Sequence, residues 1–294
     1  MYSQALSELK HFLSRHWKAG SPVLLACSGG PDSKALLYLL LEAQTFFDLE
    51  IQVAHIDHGW REESAEEAQK LKAEVEGLGL VFHLRTLTDL PMKEEAARDG
   101  RYEKLKQIAD EIGAQSILLA HQMEDQAETV LKRIFEGSAL SSCGGMKEVS
   151  MNLWRPLLKV LKKELVQWLE KRGISYFIDS TNLDPKYLRG RLRSSILPQL
   201  EEAFGKSIVK NLCLLGERAQ KLEEHLTKAS SGLLEQKIAD LKECDEIVLE
   251  FFLKSRSRGL SREELSILAK KLRSDDPQKS IELALIMQKD YLNL

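Results

Sequence analysis

Short apolar runs alternate with longer segments of helical spacing through the first two hundred residues. These short apolar runs predict strands over 23–27, 51–56, 81–84 and 116–120. Between them, apolar residues recur at helical spacing among abundant Glu, Lys and Ala, which predicts helices over 34–44, 62–76 and 92–112. Strand and helix alternating in this way call for an α/β fold, a doubly wound, mostly parallel sheet with helices on both faces. Ligands of such sheets sit beyond the carboxyl ends of the strands, near the point where the winding reverses. After Phe204-Gly205 the texture changes. Residues 207–228, 232–241 and 245–255 are rich in Leu, Glu and Lys with no convincing strand, and Ser261-Arg262-Glu263-Glu264 opens a further helix running to about Arg273 in the manner of a capping box. The chain therefore divides into an α/β domain over 1–205 and a small all-α domain over 206–294.

Chemistry concentrates where the expected strands end. The first runs into Ser28-Gly29-Gly30-Pro31-Asp32-Ser33, a glycine-rich turn that opens a helix. That geometry aims backbone N–H groups and the positive end of a helix dipole at one spot, a seat for phosphate. Gly29 and Gly30 let the main chain approach an anion closely, and Pro31 suits a first helical turn, where its missing N–H costs nothing. Ser28 and Ser33 add hydroxyls, and Asp32 could hold a metal ion or order the loop. Lys34 does not make this a G-x-x-x-x-G-K-[ST] loop, because no glycine precedes it in register. The same residues also suit a plain strand-to-helix turn.

The second strand ends in His55-Ile56-Asp57-His58-Gly59, polar groups where the base and ribose of a nucleotide would sit, or a His-rich turn that caps the next helix. Arg98 and Arg101 share a helix face beside Tyr102, suited to clamping phosphate or to ordinary solvation. The fourth strand feeds His121-Gln122-Met123-Glu124-Asp125-Gln126-Ala127-Glu128-Thr129. Its carboxylates could bind Mg²⁺ or an ammonium group, or simply favour a helix's first turn. Farther on, Trp154-Arg155-Pro156 leads into a basic helix. Asp179-Ser180-Thr181-Asn182 then precedes Lys186, Tyr187, Arg189, Arg191 and Arg193, charge and one aromatic ring fit for a phosphate backbone and a stacked base.

Composition narrows the setting. A net charge of −3 excludes a uniformly basic nucleic-acid binder but leaves room for a local basic patch. Cys27, Cys143, Cys213 and Cys244 lie far apart with no C-x-x-C pair, which reads as reduced thiols in a cytoplasmic protein. No apolar stretch approaches the roughly 18 residues of a membrane span, and the basic N-terminus lacks the apolar core of a signal peptide.

Taken in order, these segments resemble the tRNA(Ile)-lysidine synthetase family of PP-loop ATP pyrophosphatases over roughly residues 20–200. The family's blocks run S-G-G-x-D-S, D-H-G-x-R-x-x-S, A-R-x-x-R-Y, A-H-H-x-D-D-Q-A-E-T, R-P-L and D-x-S-N-x-D-x-x-Y-x-R-N-x-x-R. The chain supplies Ser28 to Ser33, then Asp57, His58, Gly59, Arg61 and Ser64, then Ala97, Arg98, Arg101 and Tyr102. It continues with Ala120, His121, Asp125, Gln126, Ala127, Glu128 and Thr129, then Arg155, Pro156 and Leu157, then Asp179, Asn182, Asp184, Tyr187, Arg189 and Arg193. Gln122 replaces a histidine, Glu124 an aspartate and Gly190 an asparagine, and Thr181 sits where the family often has serine.

The resemblance implies an ATP- and Mg²⁺-dependent ligation of lysine to the wobble cytidine of an isoleucine tRNA with a CAU anticodon. It implies ATP binding by Ser28, Gly29, Gly30, Pro31, Asp32, Ser33, His55 and Asp57, and metal binding by Asp32 and Asp125. Asp32, Arg98, Arg101, His121, Asp125 and Glu128 would serve catalysis, with Asp125 and Glu128 holding lysine. Arg155, Tyr187, Arg189, Arg191 and Arg193 would meet the tRNA. A homodimer is one option for the assembly, and no membrane is involved. A thiolating relative would need paired cysteines or an iron–sulfur site, and an amide-forming one a glutaminase partner; the chain carries no sign of either. Longer family members have a further C-terminal tRNA domain, for which the resemblance leaves no room in 294 residues.

Overall fold

The computed structural model describes residues 3–57, 63–87, 94–177, 186–231, 244–256 and 262–273. An N-terminal helix α1 (Gln4–His16) precedes the alternation β1 (Val23–Ala26), α2 (Pro31–Ala43), β2 (Ile51–Asp57), α3 (Glu63–Gly77), β3 (Val81–Thr86), α4 (Glu94–Ile112), β4 (Ser116–Leu118) and α5 (Met123–Phe135). Two two-residue strands follow, β5 (Val149–Ser150) and β6 (Leu153–Trp154), then α6 (Lys162–Glu170). The six-stranded sheet has the order β3-β2-β1-β4-β6-β5, and only the β5–β6 pair is antiparallel. β2 and β3 lie on one side of β1 and β4 on the other, so the winding reverses between β1 and β4. A crevice at their carboxyl ends is where this architecture places a ligand.

The pleat of β1 explains its unbroken apolar run. Val23 and Leu25 face a core shared with α1, α2, α3 and α6, whereas Leu24 faces Leu105, Ile108 and Ala109 of α4. All three are fully buried, as a central strand covered on both faces requires. A third cluster joins Ala127, Val130 and Leu131 of α5 to the segment that follows residue 186. That segment is helical but for the break at 205–207: α7 (Leu188–Arg191), a π-helical turn (Leu192–Ile196), α8 (Leu197–Phe204) and the start of α9 (Ile208–Ser231).

The chain falls into two compact units. The first holds residues 1–137 and 145–216, the second 138–144 and 217–294, so the division falls inside α9. In the second unit α10 (Glu246–Arg256) and α11 (Arg262–Leu272) enclose Leu249, Phe252, Leu253, Leu265, Leu268 and Ala269. The helix expected over 232–241 lies outside the described residues, as does the capping Ser261. Among the described residues no helix is long and apolar enough to cross a membrane.

Candidate active site

The glycine-rich turn emerges from β1 as expected, and α2 begins at Pro31 with Gly30 as its N-cap. Ser33 organises the turn. Its Oγ donates to the Gly30 carbonyl at 3.0 Å and accepts the Ser28 amide at 3.2 Å, and the two hydroxyls lie 3.2 Å apart. The first amides of α2 have no carbonyl ahead of them within the helix, so they face outward as donors. His55 braces the turn from β2: its Nδ1 lies 2.8 Å from the Cys27 carbonyl. A carbonyl only accepts, so that nitrogen carries a proton. Asp57 closes β2, its carbonyl accepting the Leu87 amide at 2.9 Å.

Two charged residues of the first turn of α2 have opposite fates. Lys34 is buried and pairs with Glu74 of α3, which also accepts from Tyr38 Oη at 2.8 Å. Burial, with Glu74 beside it, pushes the Tyr38 phenol up to about 12. Lys34 is thus committed beneath the turn. Asp32 points the other way. Its Oδ1 is buried without a hydrogen-bond partner among the described residues, and Oδ2 lies 3.7 Å from Lys162 Nζ. Burial, helped by the negative charges of Asp125 and Glu124, pushes its carboxyl up to about 6 against the pull of Lys162.

α5 supplies the floor. Gln122 is its N-cap: the side-chain oxygen accepts the Glu124 amide at 2.6 Å, while Asp125 Oδ2 accepts the Gln122 amide at 3.0 Å. The glutamine that stands where the family has histidine therefore has a local task, closing a capping box. Glu124 accepts the Lys162 amide at 2.9 Å and ties α5 to the start of α6; burial raises its pKa. Gln126 turns to the opposite side, its amide group donating to the Met146 carbonyl at 2.9 Å and accepting the Met146 amide at 2.7 Å. Asp125 and Glu128 share one partner. Arg193, on the π turn, donates to Asp125 Oδ1 at 2.5 Å and to Glu128 Oε1. Burial alone would lower the Arg193 pKa, but the Glu128 hydrogen bond and the two carboxylates raise it, which fixes it as a cation.

The other side of α5's first turn is positively charged. Burial drives His121 down to about 4, with Asp125 opposing and Arg155, Arg101 and Arg189 adding to the effect. The ring is neutral at pH 7 in a nest of guanidinium groups. Arg155 is buried, donates to the Lys147 carbonyl at 3.0 Å and bonds to Tyr102. Arg98 and Arg101 flank the Tyr102 ring at 5.7 and 5.5 Å. His121 Nδ1, Arg101 Nε and Arg155 Nε are all buried without a hydrogen-bond partner among the described residues. Buried polar atoms normally find partners, so such a cluster suits an anion that brings its own acceptors. Asp125 acts electrostatically on both Asp32 and His121, which links the carboxylate side to the guanidinium side.

Of the residues expected to meet nucleic acid, Tyr187, Arg189 and Arg191 are exposed, whereas Arg155 and Arg193 are turned inward. His58 to Arg61 and the Asp179–Asp184 stretch lie outside the described residues. Local spacing pointed to neither the Gln122 cap nor the Arg193 bridge; the S/T/D/N-type cap signal misses glutamine, and Arg193 meets partners 65 and 68 residues away.

The sequence and the fold agree with known proteins. A family model described as PP-loop domain matches residues 1–200. The tRNA(Ile)-lysidine synthase of Protochlamydia amoebophila is 34% identical over 303 residues, covering 95% of this chain and 65% of that protein. That of Chlamydia pneumoniae is 44% identical over 216 residues, covering 70% of this chain and 66% of its own length. That of Chlamydia caviae is 40% identical over 223 residues, with 72% and 68% covered. The chain thus spans just under two thirds of the length of the first two relatives. Among solved structures, the U34-tRNA thiolase NcsA from Methanococcus maripaludis superposes with a TM-score of 0.61 at 18% identity, covering 74% of this chain and 79% of that one. At that identity the likeness is one of fold.

Proposed function

We propose that this chain, which belongs to the tRNA(Ile)-lysidine synthase family of PP-loop proteins, ligates lysine to the wobble cytidine of the isoleucine tRNA bearing a CAU anticodon. One observation carries the reading beyond membership. Asp32 keeps an orphaned carboxylate oxygen at the glycine turn, His121, Arg101 and Arg155 keep orphaned nitrogens, and Asp125 acts electrostatically on both Asp32 and His121. That arrangement supports a substrate with several phosphate oxygens, as ATP has.

In the first step the carbonyl oxygen of the base attacks the α-phosphate of ATP, and the bond to pyrophosphate breaks. The turn's amides and the guanidinium groups of Arg98, Arg101 and Arg155 oppose the charge that develops on the phosphates. Neutral His121 presents its ring without adding a competing cation. In the second step the lysine amine attacks the adenylated carbon and AMP leaves with the oxygen. The amine must lose a proton, which a neighbouring carboxylate takes. Asp125 and Glu128 suit the lysine ammonium. Because Arg193 holds both carboxylates in the free chain, lysine must share or displace that guanidinium.

Mg²⁺ belongs to the same reading. It is held by one or two carboxylates together with water and substrate phosphates, and the orphaned Asp32 oxygen fits such a role. Asp125 has both oxygens engaged and would join only on rearrangement. No group of three or more metal-binding side chains exists among the described residues, consistent with a cation that arrives with its nucleotide. When bound, the ion supplies charge neutralisation at the departing pyrophosphate.

The exposed Tyr187, Arg189 and Arg191 suit the anticodon stem and loop, from which the target base must be splayed. A cytoplasmic location follows from the tRNA substrate, and sedimentation of the free chain checks the homodimer. The direct test combines the protein with ATP, labelled lysine and a CAU isoleucine tRNA transcript. Label recovered in tRNA, with AMP and pyrophosphate released in equal amounts, is the expected result. ATP binding without transfer would reduce the reading to a nucleotide-binding protein of the same fold.

A further inference from the structure

Gly29 has φ of 80°, in the left-handed region, and its Cα faces the ring of Phe177. A Cβ at Gly29 would lie 2.3 and 2.6 Å from two ring carbons, so no other residue fits while the ring is there. The main chains are joined as well: the Phe177 amide donates to the Gly29 carbonyl at 2.9 Å. Phe177 is itself anchored. Its ring packs against the core that α1, α2 and α6 share, and the chain reaches it from Ile174, whose amide donates to the Leu169 carbonyl at 3.1 Å. A glycine left to itself populates both signs of φ about equally. A loop that samples both would present its amides to an anion only part of the time, and ordering it on binding would weaken affinity.

We infer that Phe177 is a positioning residue for the PP-loop, whose ring and amide clamp Gly29 so that the first-turn amides of α2 stand ready for phosphate. This rests on the proposed nucleotide reading, and it assigns a role to a side chain outside every motif of the sequence. The ring never touches the reacting atoms. It acts through the one residue whose conformation sets the direction of the loop.

ATP affinity of the full chain, measured by calorimetry, tests this apart from turnover. Phe177→Ala should weaken ATP binding about tenfold while leaving the KM for lysine unchanged, and Phe177→Tyr should bind as the wild type does. Gly29→Ala should bind no measurable ATP, and the Gly29→Ala/Phe177→Ala double variant should regain part of the affinity because the collision has gone. Should Phe177→Ala fail to fold in thermal melts, Phe177→Val takes its place, alone and with Gly29→Ala, with an expected loss of about threefold. A folded Phe177 variant that binds ATP like the wild type would overturn the inference alone, as would a double variant no better than Gly29→Ala. Wild-type protein that binds no ATP would overturn both this inference and the nucleotide reading.

Discussion

Below the glycine turn, Lys34 is enclosed with Glu74 and Tyr38; above it, two residues earlier, Asp32 is enclosed with one oxygen unanswered. Both charges belong to one helical turn and both are largely withdrawn from water. The fold completes one and leaves the other incomplete. Taking a charge out of water is costly unless it is paired and hydrogen-bonded. An unanswered one persists in a folded chain at the expense of stability, and on the proposed reading the substrate and its cation supply the missing contacts. The same contrast separates the two sides of α5: Asp125 and Glu128 are bridged by Arg193, whereas His121 and its arginines keep orphaned nitrogens.

The contrast can be broken most sharply at Asp32. Asp32→Asn should lower tRNA lysinylation by about 10³-fold, the loss expected when the carboxylate that holds Mg²⁺ at the departing pyrophosphate is neutralised, in a chain that still melts cooperatively. Normal turnover would place the nucleotide elsewhere. Lys34→Ala should do the reverse. Stranding Glu74 and Tyr38 should cost about 3 kcal/mol in urea unfolding, whereas ATP affinity of the remaining folded protein stays near normal. A stability change within error would show that the buried pair is dispensable.

The pH dependence sharpens the same comparison. Asp32 titrates from 3.8 in the unfolded chain to about 6 in the folded one. Between those values the folded state holds the extra proton, so stability falls as pH rises through that window and stays lowered above it. His121, held down at about 4, runs the other way, losing stability as pH falls from 6.5 towards 4. The difference between wild type and Asp32→Asn isolates the carboxyl. The variant should be more stable above pH 6, by about 3 kcal/mol, and indistinguishable below pH 4. Unfolding curves at a series of pH values decide it; an equal gap at every pH would mean that desolvation of Asp32 is not the cause. The smallest effect belongs to charges that were never buried. Replacing Arg189 and Arg191 by Ala should leave the melting temperature unchanged and reduce the salt slope of tRNA binding by about 2. An unaltered slope would move the nucleic-acid surface off this segment.

Much of this was legible along the chain. β1, β2 and β4 announced themselves as apolar runs because a strand covered on both faces cannot alternate, and the glycine turn could be read from Gly29, Gly30 and Pro31 alone. β5 and β6, of two residues each, carry no periodicity to read; they exist because Ile117 and Leu119 of the β4 segment donate to the Asn152 and Trp154 carbonyls. What could not be read was partnership at a distance. The residue types at 34, 128, 177 and 193 are visible in the sequence. That Lys34 would find Glu74, Arg193 Asp125 and Glu128, and Phe177 the bare face of Gly29 depends on which elements the sheet brings side by side. The capping duty of Gln122 was hidden for a local reason, because glutamine is not among the usual cap residues.

The π turn at Leu192–Ile196 ties the reach of Arg193 to helical phase. A π turn is a helix carrying one residue more than its winding needs. Excising the residue just before Arg193, Leu192, would set Arg193 back by one position, about 100° around the axis relative to α7. The guanidinium would survive in composition and lose its address. An insertion or deletion a few atoms long could therefore silence this crevice without altering one charged side chain.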